Sequence, residues 1–345
     1  MAQGYDAILF VSFGGPEGMA DVMPFLENVL RGRNVPRERM MEVAHHYEQF
    51  GGVSPINEQN RALIKEVVHE LREHGCDLPV YWGNRNWDPL LPDTLATMRD
   101  DGVKRALGFF TSAFSSYSGC RQYRENIIKA QEQVGDGVAA VEKLRMFFNH
   151  PGFIEAMVGR VNEAKATLSN EIQGDVQLVF TAHSIPSSMA TTSAYEAQLK
   201  EACELVAKGA GVDDHVLVYQ SRSGPPTQPW LEPDVCDYLE GVFGESEDQS
   251  KRNAVVIVPI GFISDHMEVI YDLDYEAAEV CERMNVPMAR AGTAGTHSSF
   301  VRMIRQLIEE RLSDSHERIA LGQLGACHDV CPKDCCPPPA ARPAR

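Results

Sequence analysis

The sequence predicts an α/β protein with parallel sheets, arranged in two domains. The chain has 345 residues, more than one domain usually contains. Short apolar segments rich in Val, Ile, Leu and Phe alternate with longer segments of helical periodicity, as expected for strands buried on both faces. This alternation occurs twice, with a break at the turn of residues 149–152. Such an order predicts two parallel sheets with right-handed crossovers.

The elements follow from hydrophobic periodicity and from turn residues. Strands are predicted at residues 7–13, 80–83, 106–110, 176–181, 216–220 and 254–260. The main helices are predicted at residues 58–73, 119–134, 153–166, 194–209, 266–284 and 298–311. We therefore predict an N-terminal domain of residues 1–149, a C-terminal domain of residues 150–320 and a tail of residues 321–345. The tail is rich in Cys and Pro and has neither a helical nor a strand period.

Composition and charge restrict the function. The formal net charge of −17 argues against binding to nucleic acid or to an anionic membrane face. No segment has the roughly 18 consecutive apolar residues of a membrane span. The first residues lack the basic segment of a signal peptide, so we expect a cytoplasmic protein. Nine cysteines in that compartment are expected to be thiols or metal ligands rather than disulfides.

Chemistry is expected at the carboxyl ends of the strands, where open parallel sheets bind ligands. His183 follows the strand at residues 176–181, where it can act as a base or a metal ligand, or simply bond within the loop. Glu268, Asp272 and Glu276 follow the strand at residues 254–260 with a spacing of four residues, which places them on one helix face. A row of carboxylates near a His suits a divalent ion such as Fe²⁺ or Mg²⁺, whereas the alternative is a solvated acidic face.

Several common catalytic motifs are absent. Residues 12–16 (SFGGP) contain two glycines that permit close backbone approach, but no GxGxxG fingerprint, so a nicotinamide enzyme is poorly supported. The sequence also lacks a GxSxG elbow, a P-loop and HExxH. Basic residues around Arg31 and the segment of residues 117–124 could bind ligand carboxylates or could be ordinary surface charge.

An ordered set of motifs resembles the ferrochelatase family. The set spans most of the chain up to about residue 312: residues 12–16 (SFGGP), 30–33 (LRGR), 51–56 (GGVSPI), 117–123 (YSGCRQY), 181–186 (TAHSIP), 219–224 (YQSRSG), 229–234 (PWLEPD) and 259–274 (PIGFISDHMEVIYDLD). The resemblance implies two Rossmann-like domains, each a four-stranded parallel sheet flanked by helices, with a porphyrin cleft between them. It also implies an enzyme that inserts Fe²⁺ into a porphyrin in heme biosynthesis.

The resemblance assigns roles to individual residues. It implies that His183 and Glu268 are the catalytic pair at the iron site, and that Asp272 and Glu276 can hold a second divalent ion such as Mg²⁺. The residues implied to contact the porphyrin are Phe13, Arg31, Ser54 and Tyr123. The chain departs from some members at two positions: Phe13 replaces a Tyr that can reach iron, and His46 replaces an Arg beside the second metal set.

The sequence further resembles the actinobacterial branch of the family, whose members work on coproporphyrin III. This resemblance rests on residues 81–87 (YWGNRNW) and on the cysteines of the tail. It implies coproheme as the product, a coproheme decarboxylase as the downstream partner, and a [2Fe–2S] cluster. The candidate cluster ligands are Cys327, Cys331, Cys335 and Cys336, while Cys120 or Cys203 could supply an internal thiolate. Reactive thiols or zinc are the alternatives for this tail.

Other functions stay open beside the one that the resemblance implies. Protoporphyrin IX competes with coproporphyrin III as the substrate, and a His/Glu pair discriminates weakly among iron, cobalt and nickel. A heme-binding protein without catalysis is a further alternative. Such a protein would need neither the carboxylate row from Glu268 nor a titratable His opposite it.

Overall fold

The computed structural model describes residues 4–32, 35–224, 227–244, 254–313 and 317–338. Within these residues, two four-stranded parallel sheets lie in sequence along the chain. The first sheet contains β1 (Ala7–Ser12), β2 (Val80–Asn84), β3 (Arg105–Phe110) and β4 (Ala140–Lys143), in the order β2-β1-β3-β4. The second contains β5 (Val176–His183), β6 (His215–Gln220), β7 (Ala254–Val258) and β8 (Met288–Arg290), in the order β6-β5-β7-β8. Both halves thus repeat one strand order.

Helices connect the strands and flank both sheets. Those of the first half are α1 (Met19–Val29), α2 (Arg37–Gln49), α3 (Ile56–Glu73), α4 (Leu91–Asp100), the π-helix π1 (Tyr117–Arg121) and α5 (Gln122–Val134). Those of the second half are α6 (Pro151–Lys165), α7 (Ser187–Ala190), α8 (Tyr195–Gly209), α9 (Val235–Phe243), α10 (Met267–Val269), the π-helix π2 (Ile270–Ala277), α11 (Ala278–Arg283) and α12 (Ser298–Leu312). The predicted class, two parallel α/β halves, is confirmed.

Two strands and several helix details differ from the expectation. Strands β4 and β8 are short edge strands of four and three residues with partly exposed side chains, so they lack the apolar run that marks a buried strand. The helices predicted at residues 119–134 and 266–284 are each interrupted by π-helical turns. Hydrophobic periodicity cannot distinguish these turns from α-helix, because π-helices are short and rare.

One hydrophobic core joins the two halves. Phe109 of β3 lies 5.4 Å from Phe147 and 6.4 Å from Phe300 of α12, measured between ring centroids. Phe147 also lies 5.8 Å from Phe153 of α6. The same buried cluster includes Phe180 of β5, so both sheets contribute to it. The predicted boundary at residue 149 therefore separates two sheets that share a core, and the division into domains stays a prediction.

Helix α12 belongs to the second half in sequence but is bonded to the first. Arg145 forms two hydrogen bonds with Glu310, at 2.7 and 2.8 Å, and this ion pair is almost fully buried. Arg305 pairs with Glu70 of α3, and Arg311 pairs with Glu142 of β4. These charged contacts fix the last helix across both sheets.

The start of the predicted tail is bonded to the core rather than detached from it. Asn149 is fully buried, and its amide nitrogen donates to the carbonyls of Leu321 and Gly325 at 3.0 and 2.9 Å. The carboxylate of Glu201 accepts hydrogen bonds from the backbone of Gln323 and Leu324. These bonds turn the chain back over the core and direct the cysteines that follow. Residues 339–345 of the tail lie outside the described residues.

Candidate functional site

The structure brings His183 and Glu268 together. His183 ends β5, Glu268 lies in α10, and His183 Nε2 is 3.7 Å from Glu268 Oε2. Both side chains are accessible, with 33% and 52% of their surfaces exposed. Their position at the carboxyl ends of β5 and β7 is where ligands of such sheets bind.

Hydrogen bonding fixes the tautomer of His183. Its Nδ1 lies 2.5 Å from the carbonyl oxygen of Ser184, which can only accept, so Nδ1 carries the proton. Nε2 is therefore the ring nitrogen that faces the carboxylate of Glu268. At 3.7 Å the Nε2 and Oε2 atoms are too far apart for a direct hydrogen bond, and a cation placed between them would be held by both. The pair is thus suited to receive protons or a metal ion.

His266 is a third titratable group at this site that sequence reasoning did not select. Its Nδ1 lies 3.9 Å from Glu268 Oε2. Burial, with His183 nearby, lowers the pKa of His266, although Glu268 and Asp265 act in the opposite direction. Its position two residues before Glu268 was the available sequence signal.

Asp272 and Glu276 lie on π2, behind Glu268. Burial raises the pKa of Asp272 to about 7, and the charges of Glu268 and Glu276 add to this effect. Burial and Asp234 also raise the pKa of Glu276. Within the described residues the ligand atoms of these carboxylates are not gathered within 4.8 Å of one another. The structure therefore shows an acidic row without a preformed cage.

Two residues that the sequence did not single out hold Asp272. Ser221 Oγ donates to Asp272 Oδ2, and Gln220 Nε2 donates to the same oxygen at 3.2 Å. Gln220 Oε1 is buried and has no hydrogen-bond partner. A hydrated cation beside Asp272 would supply the missing donor through its water, so the residues present fit a second divalent ion. Gln220 is the last residue of β6 and Ser221 follows it, so the strand-end rule could have identified both.

An apolar wall from the first half faces this acidic row. Phe25 of α1 contacts Phe13 and Trp87 at centroid distances of 6.3 and 6.2 Å. Met267, next to Glu268, packs in the same cluster, which is separate from the main core. A small set of aromatic and Met side chains opposite polar groups is typical of a pocket for a flat apolar ligand.

The four candidate porphyrin contacts differ in exposure. Phe13 is half-buried in the apolar wall, and Arg31 is exposed just beyond α1. Ser54 is 3% exposed. A Cβ atom added to Gly15 would lie 2.7 Å from the Cβ of Ser54, so the backbone of the glycine loop packs closely against Ser54. Tyr123 is 5% exposed and stacks on Phe110 at 5.2 Å. The roles of these four side chains toward a porphyrin stay predictions.

Two further side chains complete the cleft. The guanidinium of Arg85 lies 4.5 Å from the ring centroid of Tyr123 and 5.5 Å from that of Phe13. His46 of α2 stacks on Tyr271 of π2 at 3.8 Å with nearly parallel rings. Burial lowers the pKa of His46, so a neutral ring is favoured in this stack. The first and second halves thus touch at the edge of the acidic row.

A second cluster of donors lies where the tail meets π1. Cys120 Sγ is 3.8 Å from Cys331 Sγ, and Cys335 Sγ is 3.6 Å from Cys336 Sγ. Cys120, Cys331 and Cys335 line one pocket together with the basic side chains Arg121, Arg124 and Lys143. Cys327 instead bonds to Gln198 at 3.5 Å, and Cys203 is buried in the main core. Of the internal candidates, Cys120 is therefore the one beside the tail thiols.

These thiols fit a metal cluster. Two thiolates on one tetrahedral metal, with bonds of about 2.3 Å, lie about 3.8 Å apart. The two cysteine pairs match that separation. Lys143 and His328 also lower the pKa of Cys331, although its contact with Cys120 is the largest cause. The ligand atoms of His328, Cys331 and Cys335 lie within 4.8 Å of one another, so these three side chains also suit a single ion such as zinc.

Solved structures of low sequence identity define the class of fold. SirB from Bacillus subtilis, solved with Fe³⁺, has a TM-score of 0.55 at 10% identity, over 90% of this chain and 96% of SirB. CbiX, described as the terminal enzyme of siroheme biosynthesis in denitrifying bacteria, has a TM-score of 0.50 at 13% identity, over 89% of this chain and 100% of CbiX. The predicted chelatase fold, with two four-stranded parallel sheets and a Cys-rich C-terminal region, is confirmed.

Sequence relatives then define the family. The ferrochelatase family model matches residues 5–312, and the chain belongs to this family of metal chelatases. A ferrochelatase of Rhodopirellula baltica is 61% identical over 96% of this chain and 93% of the relative. Coproporphyrin III ferrochelatases of Streptomyces coelicolor and Nocardia farcinica are 50% and 47% identical, over 99% and 98% of this chain and 96% and 98% of each relative. The resemblance drawn from the ordered motifs is confirmed.

Proposed function

We propose that this protein inserts Fe²⁺ into coproporphyrin III and releases coproheme for heme biosynthesis. The proposal rests on the pairing of His183 and Glu268, whose Nε2 and Oε2 atoms lie 3.7 Å apart at the carboxyl ends of the strands of the second sheet. The coproporphyrin III ferrochelatases of about 50% identity over nearly the whole chain support the choice of porphyrin. The product would keep four propionates, so the partner that consumes it is a coproheme decarboxylase.

The geometry supports a division of tasks at the site. Insertion requires the loss of two pyrrole protons and of the water around Fe²⁺. Nε2 of His183, whose Nδ1 bonds to the Ser184 carbonyl, accepts a proton from a pyrrole nitrogen that faces it. Glu268, with half of its surface exposed, supplies the negative charge that replaces water around the arriving ion.

The apolar wall around Phe13, Phe25 and Trp87 supplies shape. A porphyrin bound against it is distorted by the binding energy of the rest of the macrocycle, so that pyrrole lone pairs point toward His183. Phe13 carries no metal-binding atom. We therefore propose that protein ligands to iron come from the His183 side of the porphyrin.

Replacement of His183 tests the assignment. We expect His183→Ala to abolish insertion, because Nε2 of His183 is the acceptor assigned to the pyrrole protons, while the fold stays intact. Loss of porphyrin fluorescence is followed under anaerobic conditions with Fe²⁺, Co²⁺ and Zn²⁺, using coproporphyrin III and protoporphyrin IX side by side.

The same assay separates the alternatives. Faster turnover of protoporphyrin IX than of coproporphyrin III would contradict the proposed substrate, and a preference for Co²⁺ over Fe²⁺ would contradict the proposed metal. Binding of the porphyrin without metallation by any ion would indicate a non-catalytic heme-binding protein. A His183→Ala variant that keeps most of the insertion rate would contradict the role of His183. Arg302→Gln, which alters an exposed ion pair with Glu155, is the matched control.

We also propose that the thiol cluster holds a [2Fe–2S] centre, with Cys120 and Cys331 on one side and Cys335 and Cys336 on the other. Bound there, such a centre would supply one-electron redox chemistry and a covalent tie between the tail and π1. Arg121, Arg124 and Lys143 offset the negative charge of the four thiolates. Cys327 is left out of this set because it faces Gln198.

Cysteine replacement tests the ligand set. We expect Cys120→Ser to lose the visible absorption and the acid-labile sulfide of anaerobically purified protein, whereas Cys327→Ser keeps both. A colourless wild-type protein that contains zinc but no sulfide would contradict the cluster. Equal loss in Cys327→Ser and none in Cys120→Ser would contradict the ligand set.

Two further proposals concern the second ion and the compartment. Asp272 and Glu276 would hold Mg²⁺ through waters bonded to Gln220, which supplies the unpaired acceptor described above. None of the nine cysteines forms a disulfide, and cysteines that are free or bound to metal suit a reducing cytoplasm. Among the described residues no helix combines the length and the apolar character of a membrane span.

A further inference from the structure

Asp265 lies three residues before Glu268 and is held by the opposite half of the molecule. Its backbone N–H donates to Gln59 Oε1 at 2.7 Å, and Gln59 Nε2 donates back to Asp265 Oδ2 at 3.3 Å. Gln59 lies in the first turn of α3, five residues after Ser54. The side-chain amide of Gln59 therefore forms one hydrogen bond with the backbone and one with the carboxylate of Asp265, although the two residues are 206 positions apart in the sequence.

Arg290 holds the same segment from the other side. It ends β8, and its guanidinium donates to both carboxylate oxygens of Asp265 at 3.1 and 3.4 Å. Its Nε donates to Asp274 of π2. The Arg290 and Asp265 side chains are only 18% and 17% exposed. One planar cation thus bonds to carboxylates that precede and follow Glu268.

His183 and Glu268 differ in how firmly the surrounding secondary structure holds them. His183 belongs to β5, the strand that pairs with both β6 and β7. Glu268 lies instead in a three-residue helix that follows a loop, and its side chain is half exposed. A site residue on such a segment keeps its geometry only if neighbouring side chains lock it in place.

We propose that Gln59, Asp265 and Arg290, here termed the Asp265 clamp, are positioning residues for Glu268. Arg290 fixes the segment relative to the second sheet, and Gln59 fixes it relative to the apolar wall of the first half. The clamp thereby sets the position of Glu268 relative to a porphyrin bound on that wall. This inference rests on the proposed function, because the position of Glu268 matters only if it acts on the arriving metal.

Replacement of Gln59 by an acid is the direct test. Gln59→Glu keeps the size and the acceptor for the Asp265 N–H but places a carboxylate against the Asp265 carboxylate. We expect kcat for Fe²⁺ insertion to fall roughly tenfold or more, because misplacing a reacting group by about 1 Å can cost a hundredfold. The KM for the porphyrin should change less than twofold, since the wall itself is unaltered. Glu58→Gln, on the exposed face of the same turn, is the matched control.

A double variant separates positioning from a loss of structure. Combining Gln59→Glu with Asp265→Asn restores complementarity, because the new amide at position 265 donates to the new carboxylate at position 59. We expect the double variant to insert iron several-fold faster than the product of the two single effects predicts. Melting temperatures and porphyrin affinity, measured by fluorescence quenching, check that each variant is folded.

The outcomes distinguish the two proposals. A wild-type protein that metallates no porphyrin contradicts the proposed function. An active wild type whose Gln59→Glu variant keeps kcat within twofold contradicts the Asp265 clamp. The clamp is also contradicted if the effects of Gln59→Glu and Asp265→Asn on the insertion rate simply multiply in the double variant. A change in the porphyrin KM without a change in kcat would contradict it as well.

Discussion

At the scale of single residues, the tautomer of His183 decides what the site can do. The Nδ1–H of His183 donates a hydrogen bond to the Ser184 carbonyl. Nε2 is therefore the nitrogen left to bind a proton or a metal ion, and it faces Glu268. Proton acceptance and metal binding by His183 therefore exclude each other at any one moment. The two tasks must be taken in turn or divided with Glu268.

His150 is a residue whose titration affects stability rather than chemistry. It is fully buried, and its Nδ1 accepts the Gly152 N–H at the start of α6. Burial, with Arg145 nearby, lowers its pKa to about 3. The pKa of His150 is lower in the folded protein than its value of about 6.5 in the unfolded chain. Its contribution to the free energy of unfolding is therefore complete above pH 6.5 and is lost as the pH falls toward 3.

Acidification should therefore weaken the wild-type protein through His150. Between pH 7 and pH 5 we expect this residue alone to lower the free energy of unfolding by about 2 kcal/mol. His150→Asn keeps a side-chain acceptor for the helix cap but does not titrate, so its stability should fall less over that interval. Urea unfolding at both pH values measures the difference. Parallel losses in both proteins would contradict the buried neutral state.

At the scale of elements, the sequence identified the buried strands and the long helices but not their irregular parts. The strands β1 and β7 are almost entirely apolar and β5 is largely so, and their prediction needed no tertiary information. The edge strands β4 and β8 form because a neighbour in the sheet is available for pairing, which local sequence does not record.

The π-helices show the same limit within the site. The spacing of Glu268, Asp272 and Glu276 predicted one α-helical face, whereas π2 carries the last two residues on a wider turn. π1 likewise contains Cys120 and leads directly to Tyr123. The strand-end rule selected His183 and Glu268 as candidates, and the structure brings these two side chains together. The contacts of His266 and Cys120 depend on packing between segments that the sequence alone does not pair.

At the scale of the whole molecule, α12 holds the two halves together through charged contacts. The Arg145–Glu310 pair is the most buried of these, and Arg145 Nη2 also donates to the Ile319 carbonyl at 2.9 Å. Removing one partner leaves a buried charge without compensation, which typically costs 3–5 kcal/mol.

We expect Glu310→Gln to lower the free energy of unfolding by about 3 kcal/mol. The exposed pair of Arg302 and Glu155 offers a matched control, for which Glu155→Gln should change stability by less than about 1 kcal/mol. Chemical denaturation with fluorescence detection compares the two variants. Equal effects would indicate that the buried pair does not join the halves.

The apolar wall of α1 and α2 has its own small cluster, apart from the core that both sheets share. Separating the sheets to admit a macrocycle would expose that shared core to water, at a large cost in free energy. Displacing α1 and α2 exposes only this smaller cluster. Substrate entry and product release are therefore expected to involve local motion of α1 and α2, while the two sheets, His183 and Glu268 stay fixed.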